Sequence, residues 1–253
     1  MFTEPRSDRA AMNNARVLAV LLAFLPACHE ARPRETQGPV LEFGFEDSCR
    51  PDAVAELALE ASPRGITFVT GIEGRAARFD DSGASVRLAG IERLELSDSM
   101  TLEFFVNLAD WHNPYGEGTM KNLISYSDAF AVAVRGWALE ARVTTAGAKK
   151  AQRFSGGSFA PDAWHHVALV VDGAQGSARL VLDGRDVART SVQGNVVIEA
   201  AHELVVGSWF EEEENFSGVL DSVRLWPRAL SADELRARAA LLERHGVEPA
   251  PRG

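Results

Sequence analysis

The amino-acid sequence predicts an all-β, two-sheet antiparallel jelly-roll sandwich with one C-terminal helix. Three observations carry this expectation. From Val40 onward, short apolar stretches are separated by Gly, Asp, Asn and Pro, the rhythm of an antiparallel sandwich. Several of those stretches alternate with period 2, and no helix-length periodic run appears before residue 231. The 253 residues, 46% hydrophobic and 25% charged, have the composition of an ordinary globular protein and suffice for one large β core.

The elements follow in order. Leu102, Phe104, Val106 and Leu108 alternate with Thr101, Glu103, Phe105 and Asn107, which gives a strand with one mostly apolar face. Residues 164–171 carry apolar side chains on both faces, with Val167, Leu169 and Val171 opposed to Trp164, Ala168 and Val170, so this strand belongs near the middle of a sheet. Residues 177–182 and 185–191 form a hairpin across Asp183-Gly184, a pair suited to two left-handed turn positions. Further strands are expected at 40–45, 66–69, 76–79, 85–88, 122–126, 129–134, 138–143, 204–207 and 216–226. The helix spans 231–245: Ser231 and Glu234 make a capping box, Leu230 and Leu235 a hydrophobic staple, and Gly246 ends it. Its apolar side is Leu235, Ala239 and Leu242. No internal repeat or low-complexity segment divides the chain, so residues 39–246 read as one domain and 247–253 as a flexible tail.

Residues 1–27 read as a signal peptide and lie outside the fold. Arg6, Arg9 and Arg16 give a basic start, and the apolar run 17–25 is shorter than the roughly 20 residues that span a bilayer. Leu25-Pro26-Ala27-Cys28 resembles the bacterial lipobox, in which the cysteine is acylated and becomes the new N-terminus, although Pro26 departs from the common pattern. The resemblance implies lipidation of Cys28, a tether over 28–38, and a place in the cell envelope. His29 stands where an aspartate commonly retains lipoproteins at the inner membrane, which points to the outer membrane of a double-membrane host. The alternatives are a secretory signal cleaved near Ala27 without lipid, or a buried helix, and Met12 offers a second start. With Cys28 lipidated, Cys49 is a lone cysteine and no disulfide framework holds the domain. Without lipid, a Cys28–Cys49 bridge becomes available in an oxidising compartment.

The formal net charge of −10 and the sequence pI near 5.1 argue against a nucleic-acid partner, which requires a basic stripe to displace counterions from phosphate. Cations, neutral glycans and basic partners remain compatible with an acidic surface.

Several segments resemble the laminin G-like jelly-roll family of the concanavalin A-like lectin and glucanase superfamily. Leu41-Glu42-Phe43-Gly44-Phe45-Glu46-Asp47 looks like its first strand, and Gly71-Ile72-Glu73-Gly74-Arg75 its entry into the next hairpin. Residues 101–108 look like its T-[LI]-E-x-[WF]-V strand, and Trp164-His165-His166-Val167 opens its central strand. Residues 216–226, followed by Pro227-Arg228-Ala229-Leu230-Ser231, look like its last strand and are the most specific match. The similarity covers about 40–240 in family order. It implies a non-catalytic module for glycan or protein ligands, with calcium in some members. One departure is the first loop, 48–62, which introduces Cys49. In superfamily glucanases an aspartate of the last strand joins the N-terminal segment around a structural calcium, which implies Asp221 with Glu46 or Asp47 here. The alternative is that Asp221 accepts backbone N–H bonds near a bulge at Gly218. On alternation alone, Asp221 shares a face with Val219, Val223 and Leu225, where an unpaired charge would cost several kcal/mol.

Glycoside hydrolases share the fold, and a retaining mechanism needs two carboxylates about 5 to 5.5 Å apart. No strand carries the E-x-D-x-x-E pattern of the glucanases. The dense run Glu211-Glu212-Glu213-Glu214 reads as a solvated acidic loop, with a contribution to a calcium site as the alternative. His165 and His166 are adjacent on a strand, so they point to opposite faces and cannot chelate one ion together. No Ser-His-Asp set and no phosphate loop stands out. The expected function is therefore a surface-anchored binding module for a glycan or a cell-surface protein. A hydrolase with atypical carboxylates, or a purely structural envelope protein, are the rival readings. Ligand contacts are expected on loops held by the sheets, at Trp111, His112, Asn113 and Tyr115 and at Trp209 and Phe210. Aromatic rings stack on the C–H faces of sugars while Asn and His bond hydroxyls. The alternative places the tryptophans as caps on the core.

Overall fold

The computed structural model describes residues 37–51, 53–54, 61–80, 83–94, 96, 98–108, 120–160, 162–198, 202–208 and 215–245. Its strands are β1 (Leu41–Phe43), β2 (Ala53–Val54), β3 (Ala61–Arg64), β4 (Thr67–Thr70), β5 (Arg75–Phe79), β6 (Ser85–Ala89), β7 (Ser99–Asn107) and β8 (Met120–Tyr126). They continue with β9 (Phe130–Arg135), β10 (Ala138–Val143), β11 (Gln152–Ser158), β12 (Trp164–Asp172), β13 (Ser177–Leu182), β14 (Arg185–Ser191), β15 (Glu203–Val206) and β16 (Gly218–Trp226). Helix α1 (Ala232–Ala239) runs on through Ala240 into a last turn, α2 (Leu241–Arg244). Among the described residues the strands form two antiparallel sheets. One has nine strands, in the order β14-β13-β12-β7-β16-β1-β2 with β5 and β4 joined beside β16, and the other has seven, in the order β11-β10-β9-β8-β15-β6-β3.

The main core lies between the sheets. Leu102, Phe104 and Val106 of β7 and Val167, Leu169 and Val171 of β12 meet Val132 and Val134 of β9, Leu139 of β10 and Leu204 of β15, all buried. Each such side chain contributes roughly 1.5–3 kcal/mol on burial. The opposite face of the nine-stranded sheet is covered by the helix: Ala168, Val170, Val181 and Trp226 pack against Leu230 and Leu235, and Phe105 and Ile72 against Leu242. This explains why β7, whose second face reads as mixed, is buried along nearly its whole length. Thr101 accepts the Leu230 N–H at 2.9 Å and donates to the Arg228 carbonyl at 2.8 Å, which fixes the approach to the helix. The capping box forms as the sequence predicts, with Ser231 as N-cap and Glu234 closing it.

Two differences from the sequence reading have physical causes. β11 was not expected, because Gln152–Ser158 contains Gly156-Gly157 and reads as a loop. Gly156 lies where the Val187 carbonyl of β14 closes on it, and a Cβ would collide, so the glycines let the edges of the two sheets approach. In β16 the alternation breaks at a bulge between Asp221 and Arg224, where Ser222 takes φ 50°. Asp221 is therefore not on the face of Val223 and Leu225, which stay in the main core. It pairs opposite Phe105, on the helix-covered side.

Candidate functional site

The carboxylates proposed for calcium gather around one turn, residues 71–75, but each uses that turn's own donors. Asp221 Oδ2 accepts the Ile72 N–H at 2.7 Å and the Glu73 N–H at 2.9 Å, and its Oδ1 accepts the Ser222 hydroxyl at 3.1 Å. Glu46 accepts the Arg75 N–H at 3.1 Å, and Asp47 pairs with Arg75 Nε at 3.1 Å. Burial pushes the Asp221 carboxyl up to about 6, against the pull of its three donors. Calcium takes six to eight oxygens. Among the described residues no three His, Cys, Asp or Glu side chains form a metal-binding group, so this donor set, as arranged, does not fit the ion.

His165 and His166 do point to opposite faces. His165 Nε2 accepts the Ala160 N–H at 3.1 Å, so its Nδ1 carries the proton that binds Asp183 at 2.8 Å. Asp183 also accepts the His166 N–H at 2.9 Å, which ties the predicted Asp183-Gly184 turn to β12. On the other side His166 Nε2 meets Glu103 at 3.3 Å, and Trp226 Nε1 donates to Glu103 at 3.1 Å. Burial acts to raise the Glu103 carboxyl, but His166, Arg238 and Arg224 hold it below the ordinary range. This group lies beneath the helix and serves packing.

The expected ligand contacts Trp111, His112, Asn113, Tyr115, Trp209 and Phe210, the acidic run 211–214, and Cys28 lie outside the described residues. The strands that flank the two aromatic loops are informative nonetheless. β7 ends at Asn107 opposite Val219 at the start of β16, β8 starts at Met120, and Gly207, just after β15, donates to the Leu123 carbonyl at 2.8 Å. Both loops therefore leave and re-enter at one end of the sandwich.

At that same end the outer face of the seven-stranded sheet carries a feature that the sequence reading missed. Arg135 ends β9, pairs with Met120 on one side and Ala138 on the other, and is joined to Ala138 by the tight turn Gly136-Trp137. Gly136 takes φ 59°, as the first position of a type II′ hairpin requires. Trp137, at the tip, is 40% exposed and is the one large hydrophobic side chain so exposed among the described residues. On the outer face of the same sheet a shallow groove is lined by Met120, Asn122, Ala131, Ala133, Glu140 and Arg153. Glu140 stands between two arginines, 3.0 Å from Arg135 Nε and 3.4 Å from Arg153 Nη1. The readable signal was a tryptophan placed directly after a turn glycine, where it cannot reach a core. The far end of the sheet holds a second hollow of about 270 Å³ bounded by Tyr126, Asp128, Thr144 and His202. Arg142 links the two regions, donating to the Ser127 carbonyl at 2.7 Å and pairing with Asp128 at 3.0 Å.

Fold and topology together define a jelly-roll sandwich of two antiparallel sheets with a helix on one outer face. The chain belongs to the Laminin_G_3 family, of the concanavalin A-like lectin/glucanases superfamily, whose model matches residues 80–236. Similar solved structures include the binding domain of Paraclostridial Mosquitocidal Protein 1, with a TM-score of 0.65 and 15% identity over 82% of this chain and 52% of that one. The binding domain of botulinum neurotoxin DC in complex with SialylT has a TM-score of 0.65 and 9% identity over 83% and 52%. The receptor-binding domain of botulinum neurotoxin mosaic serotype C/D has 0.60 and 12% over 79% and 50%. The chain thus spans about half the length of these neighbours, and at such identities the likeness is one of fold. No curated protein matches the chain in sequence.

Proposed function

We propose that this domain is a non-catalytic binding module that holds a glycan at the loop end of its seven-stranded sheet. The observation that carries the reading is Trp137, an exposed indole on a two-residue turn at the same end as both aromatic loops, with a shallow groove on the outer face of the same sheet. An exposed ring offers an apolar platform to a sugar, while a few placed polar groups fix its orientation. The structural neighbours being binding domains, one of them in complex with SialylT, supports the same reading. Hydrolysis would need a carboxylate pair. Glu140 is the one carboxylate lining this groove among the described residues, and it is engaged by two arginines. Attachment to the cell envelope through a lipid on Cys28 belongs to the proposal and rests on the sequence. Labelling with an alkynyl fatty acid is expected to tag the wild type and not Cys28→Ser.

The test of binding is a glycan array paired with a polysaccharide-hydrolysis assay. Retention of a glycan without release of sugar, lost in Trp137→Ala at an unchanged melting temperature, is the expected result. Sugar release would favour the hydrolase, and no retention on any glycan would overturn the reading.

A further inference from the structure

We propose that the domain holds a second ligand, a small zwitterion of dipeptide size, in a hollow on the outer face of the nine-stranded sheet. This hollow, of about 350 Å³, lies where β12, β13 and β14 meet the 229–232 segment that leads into α1, and its polar walls are Asp172, Gln175, Ser177, Arg179, Asp186 and Arg189. Its volume falls within the range of small-molecule sites. It is on the opposite sheet from Trp137, so it is independent of the glycan reading.

The charges in the hollow are unevenly matched. Arg179 of β13 stands directly opposite Arg189 of β14, a like-charge pairing that destabilises a sheet unless something negative answers it. Asp186 does so with both oxygens: Oδ1 accepts from Arg179 Nη1 at 2.6 Å and Oδ2 from Arg189 Nη2 at 2.8 Å. Arg179 also donates to the Leu230 carbonyl, and its side chain is only 14% exposed, so Asp186 and Leu230 serve mainly to hold it. Arg189 is 62% exposed and spends one of its five N–H donors on an oxygen of a carboxylate already shared. Across the hollow, Asp172 Oδ1 accepts the Gln175 N–H at 2.9 Å and the Ser99 hydroxyl at 3.5 Å, and among the described residues it meets no cation. One guanidinium and one carboxylate therefore face the same space with their charges open to a ligand. Two arginines and two aspartates leave the walls neutral as a whole, so a ligand gains from charge by carrying both signs.

Register sets the length of that ligand. Asp172 of β12 pairs with Ser177 of β13, and Arg189 of β14 pairs with Arg179, two positions further along β13. At about 4.8 Å between strands and about 3.3 Å per residue, the two Cα atoms lie about 12 Å apart. The side chains shorten that span to one that the termini of a dipeptide can bridge, the carboxylate taken by the planar fork of Arg189 and the ammonium by Asp172. A single amino acid carries its two charges too close together. Ser177 and Gln175 add a hydroxyl and an amide to the walls between the charged groups.

The experiment is an NMR titration of the full chain with dialanine, with N-acetyl-dialanine, which keeps only the negative charge, and with dialanine amide, which keeps only the positive one. Dialanine is expected to bind tenfold or more tightly than either analogue and to move the amide signals of residues 172–189. Arg189→Gln should bring dialanine down to the level of its amide, and Asp172→Asn down to that of its N-acetyl form, each at an unchanged melting temperature. The comparison of the three probes on the wild type stands without any variant. Equal binding of the three, shifts elsewhere in the protein, binding that both substitutions leave unchanged, or no binding of dialanine at millimolar concentration would each overturn the proposal. Glycan retention through Trp137 is unaffected by any of these results.

Discussion

Asp221 Oδ2 accepts the Ile72 N–H at 2.7 Å, joining the last strand to a turn 149 residues earlier in the chain. The bond is buried, and the same oxygen serves the Glu73 N–H. Asp221→Ala would leave both backbone donors without an acceptor, and each buried unpaired group costs about 1–3 kcal/mol. A loss of about 2–5 kcal/mol is expected by urea denaturation. Asp221→Asn, whose carbonyl can still accept, is expected to lose clearly less.

The same residue sets a pH dependence. Its carboxyl titrates at about 6 in the folded protein and near the ordinary 3.8 when unfolded. Below about pH 3 both states hold the proton, and the contribution to stability is fully present. As pH rises through 6 the folded protein must ionise a buried group that the unfolded chain has already ionised. At about 1.4 kcal/mol per pH unit, stability should fall by ~3 kcal/mol between pH 3 and 7. Glu234 acts in a separate window: burial opposes it, but Arg228 and Ser231 hold its carboxyl down to about 2, so its contribution is lost only as pH falls from about 4.5 toward 2. Denaturation of wild type and Asp221→Asn at several pH values checks the point, since the difference between them should change mainly between pH 4 and 7.

Calcium is expected to leave the melting midpoint unchanged relative to chelator. Glu46 and Asp47 would first have to release Arg75, and Asp221 would have to turn from two N–H groups that hold it. A rise of several degrees on adding calcium would mean that the 71–75 turn rearranges around the ion.

Much of the fold was legible because period-2 patterning and turn chemistry are local. Strand 185–191, strand 138–143 and the Asp183-Gly184 turn stand where the sequence put them. What was missed depends on how strands pair and pack, which local patterning does not report. β11 is a strand because β10 pairs with it and Val187 needs the space at Gly156, which no local rule reports. Asp221 changed face because of one bulge at Ser222, and a single inserted residue inverts every side chain beyond it. Arg135, Glu140 and Arg153 look like scattered surface charges until antiparallel register brings them together. Trp111 and Trp209 drew attention as aromatic loop residues, while Trp137, in the short gap between two expected strands, did not.

Glu103 shows how the helix-covered side is held. Its carboxylate is buried against His166, Trp226 Nε1, Arg238 at 3.6 Å and Arg224 at 4.0 Å. Removing one member of such a buried charged group leaves the others uncompensated, typically at about 3–5 kcal/mol. Glu103→Gln is expected to cost about 3 kcal/mol in urea denaturation and to leave glycan binding at the opposite sheet unchanged once the protein is folded. Ser231→Ala, which removes only the helix cap, should cost about 1 kcal/mol.

The aromatic loops provide the last prediction. Leu108 and Met120 bracket one loop, and Ser208 and Asn215 bracket the other, with Ser208 Oγ donating to Asn215 Oδ1 at 2.7 Å. Met120 lies directly opposite Arg135, one residue from the Gly136-Trp137 turn, so a ligand seated on Trp137 lies near the foot of the first loop. If Trp111 and Tyr115 touch that ligand, Trp111→Ala and Tyr115→Ala should each weaken glycan binding tenfold or more while the melting temperature changes little. If they cap the core instead, Trp111→Ala should cost roughly 3 kcal/mol or more of stability. Combining each with Trp137→Ala sharpens the distinction, because residues contacting one ligand couple whereas distant ones add. Non-additive losses in binding, at unchanged stability, are the expected outcome. A destabilised Trp111→Ala variant that still binds glycan at wild-type strength would remove the first loop from the site.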